Sequence, residues 1–157
     1  MKLGKLHLVV IVMCLLTIGV YGQSVNLKQP LPLVNYPENV DLPLNSKELL
    51  QLKEVYGDEL QSFVLNRPNF LKAIKDILRN RVEIIEYTNP RDQKDCMLLS
   101  EVPVLNAFVP ELKRDQFFDK SNFNPLKYNF RFFSRGASIY HVDNTNYYIK
   151  IKAQHRR

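Results

Sequence analysis

The apolar positions of this chain change period along its length, and the changes separate helical from extended parts. Leu49, Leu52, Tyr56, Leu60 and Phe63 are spaced by three or four residues, which places them on one face of a helix. Asn45 stands at the N-cap, Glu48 completes a capping box, and Leu44 with Leu49 makes a hydrophobic staple. Gly57-Asp58 predicts a break, but the apolar phase continues across it. Asn66-Arg67-Pro68 then opens a second amphipathic helix over 68–80, carrying Phe70, Leu71, Ile74, Ile77 and Leu78.

After Asn80 the period falls to two. Val82, Ile84 and Glu86 face one way and Glu83, Ile85 and Tyr87 the other, as in a strand. Residues 89–92 (NPRD) predict a turn. Residues 96–110 are apolar but broken by Pro103 and Pro110, which fits an edge strand or a buried irregular segment. Leu126, Tyr128, Phe130 and Phe132 alternate with Lys127, Asn129 and Arg131. Residues 138–142 form a further strand after the 134–136 turn. Past the 143–146 turn, Tyr147, Ile149 and Ile151 alternate with Tyr148, Lys150 and Lys152. These three segments predict an antiparallel meander. The expected fold is α+β, with N-terminal amphipathic helices packed on a C-terminal antiparallel β-meander.

The first 22 residues have a different pattern. Lys2 and Lys5 precede an uncharged, almost wholly apolar run over 8–22, and Val20 and Gly22 fit the small-residue positions of a signal-peptidase site. Fifteen residues span about 22 Å as a helix, short of a ~30 Å hydrocarbon core. The run therefore reads as a secretory signal cleaved between Gly22 and Gln23. No transmembrane segment is expected after its removal. Residues 23–44 hold four prolines and read as an extended arm lying against the domain. Residues 45–155 then form a single α+β domain.

The remaining 135 residues suffice for a core without staples, and seven of the chain's eight tyrosines and all nine phenylalanines fall within them, which argues against disorder. Cys96 is the lone cysteine after signal removal, which excludes a disulfide-stapled scaffold. Its thiol is either buried and inert or links two chains, and a monomer is favoured over a Cys96-linked dimer. Residues 120–157 carry eight basic side chains against Asp143, whereas 23–110 are net −2. If the alternation holds, Lys127, Arg131, Lys150 and Lys152 share the solvent face of the meander with Asn129 and Tyr148. Such a face suits an extracellular protein or an anionic glycan or lipid surface. Nucleic acid would match its charge but not a secretory address.

Catalytic patterns are weak. Cys96 and His141 supply a thiol and a base without a nucleophile turn, and Asp58-Glu59 and Asp92/Asp95 read as polar turns or helix starts. His141-Val142-Asp143 offers two metal ligands where a zinc site needs three or four. With five glycines and no phosphate loop, no cofactor and no metal is expected. Lys113-Arg114 is a dibasic pair, so a peptide precursor cleaved after Arg114 is the alternative to a non-enzymatic secreted binding or signalling protein. A small extracellular hydrolase is the second alternative.

Overall fold

The first helix begins where Asn45 places it. The Asn45 side chain accepts the Glu48 N–H at 2.8 Å, and the Glu48 carboxylate accepts the Asn45 N–H at 2.9 Å, closing both halves of the capping box. Helix α1 spans Ser46–Tyr56 and stops at Gly57, whose φ of +50° and close approach to Val109 suit glycine. A tight turn (Gly57–Glu59) and a wide turn (Gln61–Leu65) carry the chain onward. Helix α2 spans Pro68–Asp76 with proline in its first turn, and a second wide turn (Ile77–Arg81) delivers it into strand β1.

The apolar stripe of α1 is shifted from its sequence expectation. Leu49 is 43 % exposed while Glu48 is buried, so the core face runs through Leu52, Val55, Tyr56, Leu60 and Val64. Glu48 is drawn inward because Arg79 grips its carboxylate with two contacts of 2.6 Å. The same guanidinium donates to the carbonyls of Asn39, Leu42 and Pro43. Lys75 donates to those of Val40 and Leu42 at 3.1 and 2.7 Å. The described end of the proline-rich arm is thus held down by cations on α2 and the turn after it. These cations satisfy carbonyls that have no sheet or helix partner.

This computed structural model describes residues 34–89, 91, 93 and 95–154, all within one compact unit, Leu33–Arg157. The proposed signal, the Gly22-Gln23 junction, the arm over 23–33, Asp92 and His155 lie outside the described residues. No helix among the described residues is long and apolar enough to cross a membrane.

The chain is α+β, with helices in its N-terminal half and a three-stranded antiparallel sheet ordered β1–β3–β2. The strands are β1 (Val82–Glu86), β2 (Ser138–His141) and β3 (Tyr147–Ile151). Ile149 lies opposite Ile84 and Tyr140, and Ile151 opposite Val82 and Ser138. That face joins the core formed by Leu52, Val55, Ile74 and Ile77.

The meander expected from the sequence is corrected in one strand. Residues 126–132 do not enter the sheet, and β1 takes the place beside β3. The segment opens with a turn over Pro125–Lys127, capped by the Asn124 side chain. The Phe130 and Phe132 N–H groups then donate to the carbonyls two residues back, each at 2.8 Å. Such three-residue turns use the donors that a ladder would need. The alternation survives all the same, with Tyr128, Phe130 and Phe132 buried and Asn129 and Arg131 exposed. Residues 96–110 take the irregular form, touching the sheet edge at Leu98 beside His141 and pairing Val104 with Tyr128.

Candidate ligand-binding cavity

A cavity of about 290 Å³ opens between the helices and the irregular 126–133 segment. Tyr56 enters from the end of α1, Phe63 and Arg67 from the wide turn and its exit, and Phe70, Ile74 and Ile77 from α2 and the turn after it. Leu105 and Phe108 close a third side. Leu126, Tyr128, Asn129, Phe130, Phe132 and Phe133 complete the wall. The helices turn their apolar face to this space because α2 repeats at three and four residues from Phe70. The opposite wall exists because 126–133 alternates without joining a ladder.

The wall is aromatic and ordered by ring contacts. Phe63 meets Phe108 edge-on at 4.6 Å, Tyr56 meets Phe108 at 4.9 Å, and Phe130 meets Phe132 at 5.7 Å. Polar groups are few. Arg67 is exposed, lies 4.8 Å over the Phe63 ring, and has no carboxylate partner among the described residues. Phe133, 52 % exposed, and Asn129 also lie on the solvent side. Tyr56 is 4 % exposed, and its hydroxyl forms no hydrogen bond within the described residues. Burial raises its pKa above the usual phenol value, so it remains an O–H donor at neutral pH.

The four residues read from the sequence as one basic face are not brought together as a sheet surface. Lys127 is buried, salt-bridged to Glu54 at 3.0 Å and to Asp115. Burial opposes its charge, but hydrogen bonds to Asp115 and Glu54 outweigh this and raise its pKa. Arg131 is exposed on the segment outside the sheet. Lys150 and Lys152 do lie on the sheet face away from the core, where Lys152 contacts Glu83 at 3.5 Å. Tyr148, expected on the solvent side, is 1 % exposed, flanked by His141 at 4.5 Å and Tyr87 at 5.0 Å.

The other candidates are placed as follows. Cys96 is half-buried and free, and burial pushes its thiol up, with Asp95 adding to that and a hydrogen bond at the His141 backbone opposing it. The His141 imidazole places its Nε2 2.7 Å from the Thr145 carbonyl. Asp143 receives the Ser100 hydroxyl and N–H. Burial opposes ionisation there, but these bonds hold its carboxyl below the ordinary value. His141 and Asp143 therefore do not converge, and no metal-binding cluster occurs among the described residues. Arg114 is half-buried, donates to the Leu99 and Val102 carbonyls and lies 5.3 Å over Tyr128, whereas Lys113 is exposed. A dibasic protease would have to extract Arg114 before cutting after it.

The sequence reading missed the cavity. Its signal was the pairing of an amphipathic helix at 68–80 with an aromatic alternation at 126–132, two faces that each need a partner. No protein-family profile matches this chain, and neither does any curated protein or solved structure.

Proposed function

We propose that this chain is an extracellular binding protein without catalytic chemistry, and that it holds a small apolar ligand in the aromatic cavity. The observation that carries the reading is the cavity itself: about 290 Å³, walled almost wholly by apolar and aromatic side chains, with polar groups confined to Tyr56, Arg67, Tyr128 and Asn129. Ligand sites typically combine roughly 300–1,000 Å³ of apolar space with a few polar groups that set orientation. The extracellular assignment rests on the apolar run over 8–22 and its small-residue junction.

Titration with N-phenyl-1-naphthylamine, an uncharged probe that brightens in apolar sites, tests the reading. The wild-type protein is expected to bind it saturably at one site. Leu105→Trp, which fills the cavity, is expected to weaken binding at least tenfold while circular dichroism stays unchanged. Equal binding by a folded Leu105→Trp protein, or none by the wild type, would remove the cavity from consideration.

A further inference from the structure

We infer that the ligand is a small aromatic monocarboxylate, its acid group on Arg67 and its ring body between the aromatic walls. This rests on the reading of the cavity as a ligand site and specifies what that site selects. Three observations point the same way.

The first is charge. Among the described residues, Arg67 is the one charged residue lining the cavity, and no Asp or Glu lines it. Its guanidinium is held 4.8 Å over Phe63 and has no carboxylate partner among the described residues, unlike Arg79, which Glu48 engages with two contacts. A guanidinium fork stacked on a ring keeps its N–H edges free for two parallel hydrogen bonds to a carboxylate. An anion bound there meets no like charge from the lining.

The second is shape. Eight of the lining residues are Phe or Tyr. Aromatic walls gain most from flat partners that they can meet face-offset or edge-on. At about 290 Å³ the space sits at the small end of ligand cavities, which favours one or two fused rings over a long alkyl chain. The third is Tyr56, which lines the cavity and whose hydroxyl forms no hydrogen bond among the described residues. A polar atom on the ligand would accept from that hydroxyl in place of solvent.

The test compares naphthalene-2-carboxylate with its neutral amide by displacement of N-phenyl-1-naphthylamine. Wild type is expected to bind the carboxylate at least tenfold more tightly, with the preference shrinking as salt is raised. Arg67→Gln is expected to abolish the preference while leaving amide affinity within twofold, and Arg67→Lys to keep part of it. A 6-hydroxy group on the carboxylate is expected to add affinity that Tyr56→Phe removes. Binding of the neutral probe and amide with no preference for the acid, or a preference unchanged in Arg67→Gln, would overturn the carboxylate assignment and leave the cavity standing. No gain from the hydroxyl in wild type would overturn the role given to Tyr56. Failure of the neutral probe to bind would overturn the cavity reading and this inference together.

Discussion

Residues 126–132 and Tyr147–Ile151 share one alternation of side chains, but their peptide groups are satisfied in different ways. In β3 each edge meets a neighbouring strand, β1 on one side and β2 on the other. Over 126–132 the non-local backbone bonds are few. Leu105 donates to the Lys127 carbonyl at 2.7 Å and Asn129 to that of Pro103 at 2.8 Å. Side chains supply the rest: the Arg81 guanidinium donates to the Phe132 carbonyl, the Tyr140 hydroxyl accepts the Arg131 N–H at 3.4 Å, and Phe123, Tyr128 and Phe130 follow one another at 5.4 and 5.5 Å. The difference bears on function. A central strand is closed on both edges and supplies a floor, whereas a segment fixed by its side chains can stand off from its neighbours and wall a cavity.

Core truncations are expected to separate the two segments most strongly. Ile149 is fully buried beneath two flanking strands, so Ile149→Ala should cost about 4 kcal/mol, within the range for a core position that cannot collapse. Phe132 is also buried but lines the cavity, so part of its ring already lacks neighbours to lose. Phe132→Ala should cost about 2 kcal/mol, below the usual Phe→Ala range. Urea unfolding of both variants measures this. A cost for Phe132→Ala equal to or above that of Ile149→Ala would show 126–132 to be as tightly packed as the sheet, and the cavity wall would lose its distinctiveness.

The sequence made the directions of side chains legible and left their partners obscure. The Asn45/Glu48 capping box, Pro68 at the start of α2, the β2–β3 hairpin and the inward set at 128, 130 and 132 all follow from short-range chemistry. Period two reports which side chains point inward. It carries no information about which backbone lies alongside, so the exchange of residues 126–132 for β1 was invisible. Arg79 shows the same limit at α1. It lies 31 positions from Glu48, and their pairing turns an outward helix position into a buried one and leaves Leu49 in solvent. The cavity needs both kinds of information, since its two walls come from segments far apart in the chain.

Lys127 and Lys150 occupy matching polar positions in the two alternations, and neutralising each sharpens the contrast. The Lys127 ammonium is 6 % exposed between Glu54 and Asp115, which are themselves 43 % and 36 % exposed. Breaking a fully buried pair costs 3–5 kcal/mol. Water reaches both carboxylates here, so Lys127→Met is expected to cost about 2 kcal/mol in urea unfolding, a discount on that range. Lys150→Met on the outer sheet face is expected to stay within about 0.5 kcal/mol of wild type. Equal costs would mean that the two lysines are equivalent after all, and that the solvent-face reading of Lys127 was closer to its energetics than its burial suggests.

The smallest expected effect is the pH dependence of that same pair. The folded-state pKa of Lys127 is raised, because hydrogen bonds to Asp115 and Glu54 more than offset the desolvation that opposes its charge. A raised folded value means that the stabilisation is complete below the unfolded lysine value of about 10.4 and fades as pH climbs through the folded one. The stability difference between wild type and Lys127→Met should therefore be the same at pH 7 and pH 9, then shrink by pH 11. Tyrosines also ionise in that range, Tyr128 beside Asp115 among them, with burial holding its hydroxyl above the ordinary value. Ionisation shared by both proteins cancels in the difference. A Lys127 difference that persists undiminished at pH 11 would show that the ammonium contributes through the packing of its methylene stem, and the charge-held join between 126–132 and α1 would have to be replaced by an apolar one.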